Sequence, residues 1–190
     1  MLRASGARAT PVKRVEELEG LDGLVLPGGE STTIGKLATR YGLFAPLQAR
    51  IDEGLPVFGT CAGAILLARS ALTAEGEESD QPLLARMDMV VRRNAFGRQV
   101  ASCEVDLEIA GIEGGPLHAA FIRAPWIEHA GPGVETLATV GTPAGDRVVV
   151  ARQGRLLVSA FHPELTGDGR LHQLFVETAR ADRCRIRGGG

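Results

Sequence analysis

The 190 residues fit one domain with room for a substantial core, and 44% apolar and 23% charged residues are ordinary for a soluble globular chain. A formal net charge of −2 gives no electrostatic case for nucleic acid or an anionic membrane surface, and no apolar run approaches the roughly 20 residues that span a bilayer. The N-terminus lacks a signal-peptide core and three cysteines make no disulfide framework, so a reducing cytoplasm with an available thiol is expected.

In chain order, residues 2–6 read as the end of a helix capped at Gly6, followed by a strand near Ala9–Val12. The stretches GLVLPGG (23–29) and LPVFGT (55–60) read as short buried strands that end at glycine. Between them, STTIGKLATRYG (31–42) and FAPLQARIDEG (44–54) read as helices, and CAGAILLARSAL (61–72) as a third. Strands alternating with helices imply a parallel sheet covered on both faces. TAEGEESDQP (73–82) is an acidic, turn-rich loop expected to be mobile.

The second half changes character. Residues 87–93, 102–111, 118–125, 135–141, 146–154 and 155–164 read as strands without long helices between them, an antiparallel or mixed arrangement. A last helix covers 169–182, and 183–190 read as a disordered tail. The expected fold class is α/β, one domain over residues 1–190, with a mixed and mostly parallel sheet flanked by helices.

Three segments could carry chemistry. Gly59-Thr60-Cys61-Ala62-Gly63 has the glycine-flanked form of a nucleophile elbow, a tight strand-to-helix turn that exposes its central side chain at a helix N-terminus. The plainer alternative is a small buried cysteine before a core helix. A cysteine nucleophile needs a base, and His162 stands just past an apolar strand. Period-two alternation would put Glu164 on the same side, and Pro163 ends the strand, so Cys61, His162 and Glu164 form a candidate triad. His118 and His172 read as surface or packing residues, and His129 points away from its neighbour Glu128. The Gly28-Gly29 pair after a strand lets backbone N–H groups face a ligand, and equally suits a turn in which Ser31 or Thr32 caps a helix. No Cys/His pair has zinc-ligand spacing, so no metal is expected.

Together, Pro27-Gly28-Gly29-Glu30-Ser31, Gly59–Gly63 and His162-Pro163-Glu164 resemble class I, triad-type glutamine amidotransferases. LPGGESTTIGKL, GTCAGAILLA, RRNAFGRQV, FIRAP and AFHPEL further resemble the glutaminase subunits of pyridoxal 5′-phosphate synthase. The resemblance covers roughly residues 1–180. It implies hydrolysis of L-glutamine to glutamate and ammonia, no cofactor, and ammonia transfer to a separate synthase subunit. By the same resemblance Cys61 is the nucleophile, His162 the base and Glu164 its partner. Glutamine would be held by Gly29, Glu30, Ser31, Arg93, Ile122 and Arg123, and the oxyanion by the Gly28–Gly29 loop and Ala62.

The resemblance also implies an apolar first strand, an LQG loop and half a helix ahead of the present start, so the chain is expected to be truncated there. Three functional readings stand at this point. They are a glutaminase of the coenzyme synthase, another triad enzyme (an amidotransferase or γ-glutamyl hydrolase), and an inert binding subunit.

Overall fold

The computed structural model describes residues 1–96, 102–143 and 145–188. An α/β architecture is observed, with a mixed sheet flanked by helices. The first half supplies β1 (Leu24–Leu26), α1 (Ser31–Arg40), α2 (Phe44–Asp52), β2 (Val57–Thr60), α3 (Ala62–Leu67), β3 (Ala68–Leu72) and β4 (Met87–Arg92). The second supplies β5 (Ser102–Leu107), β6 (Leu117–Ile122), β7 (Trp126–Ala130), β8 (Glu135–Thr142), β9 (Gly145–Gln153), β10 (Leu156–Ser159) and α4 (Arg170–Gly188). The large sheet runs β1-β2-β10-β9-β7-β4-β3, with β8 on β9, while β5 and β6 form a separate antiparallel pair. β1, β2 and β10 pair in parallel, and β9 returns antiparallel to β10.

The central strands are buried on both faces. Val57 points into a core with Ile51, Leu67, Leu84 and Met89, while its neighbour Phe58 points into the opposite one with Phe121, Phe161, Leu171 and Phe175. On β10, Leu156 and Val158 enter the first core and Leu157 the second. This is the two-sided burial that a near-continuous apolar run implies. Among the described residues no helix is long and apolar enough to cross a membrane.

Four expectations are corrected. The helix read over 61–72 stops at Leu67, and Ala68–Leu72 is a strand parallel to β4. Its sequence favours helix, but Ala68 and Ala71 are buried in the core and Arg69 ion-pairs with Asp88 on β4, so the tertiary partner decides. Ala9–Val12 is no strand. Pro11 has no N–H for a ladder, and β1 pairs only with β2 among the described residues. Val12 packs against the core from an irregular segment, and a short 3₁₀ turn follows at Val15–Leu18.

β7 has no counterpart among the expected strands, because Glu128 and His129 are both exposed and break the alternation. α4 continues to Gly188 instead of ending at 182, since ADRCRIR carries no breaker before that glycine. Residues 189–190 of the expected tail lie outside the described residues, as do residues 97–100 of the RRNAFGRQV stretch.

The loop over residues 73–82 is closed at its base by backbone hydrogen bonds. Thr73 N–H donates to Glu77 O (2.7 Å), and Ser79 N–H to Ala71 O (2.8 Å).

Candidate active site

β2 ends at Thr60 and the chain turns at Cys61, whose φ of 48° and ψ of −101° lie outside the common regions. Such a conformation costs on the order of 1–3 kcal/mol in a non-glycine residue and persists only where its surroundings impose it. Here the surroundings are backbone. A Cβ on Gly59 would come within 2.6 Å of the Gly63 carbonyl carbon, and one on Gly63 would overlap Leu26 O. The two glycines let the first turn of α3 lie directly against β1 and β2. Cys61 N–H donates to Ser159 O (2.8 Å), which ties the elbow to β10.

Because β2 and β10 are parallel neighbours with Thr60 opposite Ser159, their ends bring Cys61 and His162 to the same sheet edge. Glu164 arrives by a different route from the expected alternation. β10 ends at Ser159, and a turn closed by Leu165 N–H donating to His162 O (3.1 Å) folds the carboxylate back onto the ring. Pro163 sits at the turn position that its fixed φ favours. His162 Nδ1 is 2.9 Å from Glu164 Oε1.

The neighbouring Cys61 sulfur and then the Glu164 carboxylate hold the His162 pKa up at about 10 against the opposing effect of burial. The hydrogen bond from His162 in turn holds the Glu164 carboxyl below its ordinary range. The ring therefore keeps its proton throughout the neutral range. α3 spans six residues, not the expected twelve, so its dipole is a small contributor and the imidazolium is the main positive charge beside the sulfur. Glu164→Gln removes the second of the two supports. It is expected to lower the His162 pKa, read by NMR of the ring Cε1–H, and to slow catalysis less than His162→Ala does. An equal or larger loss would show that Glu164 does more than orient.

Gly28 forms the floor under the base. A Cβ there would overlap His162 Cε1 and come within 2.7 Å of Nδ1. Gly29 follows with φ of 145°, a region open to glycine. Glu30 then caps α1, accepting from the Thr32 N–H (3.0 Å), the Thr33 N–H (2.6 Å) and the Thr33 hydroxyl (2.6 Å). The Thr33 hydroxyl above all, with these amides, depresses the Glu30 pKa to about 2.

A depressed carboxyl stabilises the fold above its ordinary pKa near 4.5, and that contribution is lost as pH falls toward 2. Glu30→Ala is therefore expected to cost about 1 kcal/mol at pH 7, the usual worth of an N-cap, and progressively less as the medium is acidified. Denaturant melts at pH 7 and pH 3 check this; an unchanged gap would refute the capping role.

The other side of the site comes from two corners. Arg93 donates to Glu30 Oε1 (3.0 Å), and its own N–H donates to Leu72 O (2.9 Å). Asn94 and Arg123 both have positive φ, 47° and 49°, and Ala95 N–H donates to Ala124 O (3.1 Å). The turn after β4 is thereby joined to the corner after β6, where Ile122 is 43% exposed and Arg123 is exposed as well. Gly29, Glu30 and Arg93 are thus in one cluster, with Ile122 and Arg123 beside the turn that carries Arg93. Ser31 differs: its hydroxyl is buried and donates to Gln81 (2.9 Å), leaving its backbone for any ligand.

The profile of the SNO glutamine amidotransferase family matches residues 1–181. The chain belongs to that family. The "pyridoxal 5'-phosphate synthase subunit PdxT" of Frankia alni is 57% identical over 176 residues, covering 93% of this chain and 85% of the relative. The protein of the same name from Parafrankia sp. is 56% identical over 187 residues, 98% of this chain and 89% of its own length. A crystal structure described as a glutamine amidotransferase matches with a TM-score of 0.84 at 50% identity, covering 94% of this chain and 89% of the other.

In this member of the SNO family, sequence reasoning passed over several residues that shape the site. Thr33 and Gln81 carry no motif and are found only through their partners. His172, read as exposed or packed, is 5% exposed and meets Phe58 edge-on at 5.5 Å between ring centres, with burial holding its pKa below the ordinary value. The i, i+3, i+4 spacing of His172, Phe175 and Val176 was the available signal for that face. His118 is exposed, between Asp106 (2.8 Å) and Glu104 (3.3 Å).

Proposed function

We propose that this chain hydrolyses L-glutamine to L-glutamate and ammonia, with Cys61 as nucleophile, His162 as its acid–base partner and Glu164 orienting the imidazole. The observation that carries the reading is the His162 ring brought to the sheet edge of Cys61, with the sulfur raising its pKa and the Glu164 carboxylate 2.9 Å from Nδ1. The proton on the ring is the one the thiol has given up, so the sulfur attacks as a thiolate beside an imidazolium.

Sγ of Cys61 attacks the amide carbon of glutamine, and the carbonyl electrons move onto oxygen. The Ala62 N–H, the first of α3, and an N–H from the Gly28–Gly29 loop stabilise that oxyanion. His162 gives its proton to the amide nitrogen, the C–N bond breaks, ammonia leaves, and a γ-glutamyl thioester remains. His162, now neutral, takes a proton from water as the water attacks the thioester carbon. The C–S bond breaks, glutamate departs, and the ring again holds the proton. The net change is glutamine plus water to glutamate plus ammonia.

Glutamine's own charged ends are met by the cluster around α1. Arg93 and Arg123 suit its carboxylate, since a guanidinium binds carboxylates bidentately, and Glu30 suits its ammonium. Gly29, Ser31 and Ile122 contribute backbone groups. The ammonia serves pyridoxal 5′-phosphate synthesis: relatives more than 50% identical are named as subunits of that synthase. The partner we assign is therefore the synthase subunit that consumes the ammonia, in a reducing cytoplasm where the free Cys61 thiol survives.

Ammonia release from glutamine, measured with and without the synthase subunit, tests the reading. Release that rises on adding the partner is expected. No release in either case, with no labelling of Cys61 by a glutamine-like electrophile, would make the chain an inert binding subunit.

A further inference from the structure

Between β3 and β4 the chain crosses the ends of three helices, and residues 81–86 hold all three. Leu84 and Arg86 N–H groups donate to Leu66 O (2.7 Å) and Leu67 O (2.9 Å) at the end of α3. Gln48 Nε2 on α2 donates to Leu84 O (3.0 Å), and the Arg86 guanidinium grips Asp52 through Nε (2.7 Å) and Nη2 (2.8 Å). On α1 the contact is closer still. A Cβ on Gly35 would lie 3.0 Å from Pro82 O, so this helix lies against the segment's backbone.

Gln81 occupies the top of that contact and is only 6% exposed. Its Oε1 accepts from the Ser31 hydroxyl (2.9 Å) and from the Thr32 hydroxyl (3.2 Å), the first two residues of α1. Its Nε2 is buried and meets no hydrogen-bond partner among the described residues. A buried amide with an idle NH₂ carries a desolvation cost of roughly 1–3 kcal/mol, so packing alone would favour methionine or leucine here. The group that distinguishes glutamine at this position is the twofold acceptor. It acts on the first turn of a helix, where backbone groups lack intrahelical partners and the chain frays most readily. Immediately before that turn, Arg93 holds Glu30 from the other side.

We propose that Gln81 is a positioning residue. Through Oε1 it fixes the first turn of α1, and with it the Gly29–Glu30–Ser31 backbone that grips glutamine. This inference rests on the reading of that loop as the glutamine site. It touches binding more than chemistry, because Cys61 and His162 follow β2 and β10, and the oxyanion N–H of the Gly28–Gly29 loop lies ahead of the turn that Gln81 holds.

Two variants separate the possibilities. Gln81→Met keeps length and packing but loses the acceptor. Gln81→Glu keeps two acceptor oxygens beside a helix N-terminus, where negative charge is tolerated. In the complex with the synthase subunit, Gln81→Met is expected to raise KM for glutamine about 10-fold with kcat within about 3-fold, an unchanged melting temperature and unchanged alkylation of Cys61 by iodoacetamide. Gln81→Glu is expected to restore KM to within about 3-fold of the unaltered chain. A KM for Gln81→Met equal to that of the unaltered protein, a fall in kcat and melting temperature together, or a glutamate variant no better than methionine would each overturn the proposal.

Amide hydrogen exchange at Thr32 and Thr33 reads the same hold without activity: faster exchange in Gln81→Met supports it, and unchanged exchange overturns it. If the unaltered complex releases no ammonia, the glutaminase reading falls by itself, and the exchange measurement still decides what Gln81 does.

Discussion

Cys61→Ala is expected to reduce ammonia release from glutamine by roughly 10⁴-fold or more, the scale seen when a nucleophile is removed from a triad whose members act as a unit. The fold survives, because alanine takes the same elbow: the glycine contacts that impose φ of 48° involve backbone atoms of Gly59, Gly63 and Leu26, and the Cys61 N–H still reaches Ser159 O. Binding to the synthase subunit is expected to persist, checked by the mass of the complex. A second readout comes from the base. The sulfur is the largest support of the His162 pKa near 10, with Glu164 second, so the variant's ring titrates at lower pH. Raised histidine pKa values stabilise the fold below the ordinary value near 6.5 and lose that contribution as pH rises through 10. The variant should accordingly be less stable than the unaltered chain below about pH 6.5, with the gap closing as pH rises toward 10. Turnover above about 1% of the unaltered rate would refute Cys61 as nucleophile.

Gly28→Ala is the second large effect, and it involves no reacting atom. Gly28 does not have a positive φ, so alanine fits the backbone there. The new methyl group would overlap His162 Cε1 and crowd Nδ1 and Nε2, at 2.7 and 3.0 Å. The imidazole has to swing away, and the ring cannot then stay on both the sulfur and Glu164. Displacing a catalytic group by about 1 Å can cost on the order of 10²-fold, and a loss of 10²- to 10³-fold in kcat is expected. The effect should be strongly non-additive with His162→Ala, since both changes remove the same base. A double variant as slow as His162→Ala alone supports this, and full additivity, or a Gly28→Ala rate within about 3-fold of the unaltered chain, overturns it.

The two effects differ in how legible they were. The elbow and the His-Pro-Glu turn are local. A cysteine between glycines after an apolar run, and a proline between a histidine and a carboxylate, constrain their own backbone within five residues. The same holds for the apolar strands β2 and β10, whose two-sided burial follows from an unbroken apolar run, whereas the cap of α1, read as Ser31 or Thr32, is Glu30. Where local propensity conflicted with a neighbour, the neighbour prevailed. Ala68–Leu72 is helix-prone and became a strand because β4 offered a ladder, and Ala9–Val12 was extended in pattern yet found no ladder to join. His172 read as either a surface or a packing residue, and Phe58 decides for packing.

By itself the sequence determined the kind of chemistry, the candidate triad and much of the alternation of strands and helices, because those depend on residue type and short spacing. Only the tertiary structure decided what surrounds them. Gly28 lies 134 positions before the ring it supports, Arg93 reaches Glu30 across 63, and Gln81 meets Ser31 across 50. Nothing in the local pattern of any of these residues encodes its partner, since each contact exists only once separate strands and helices have packed against one sheet edge.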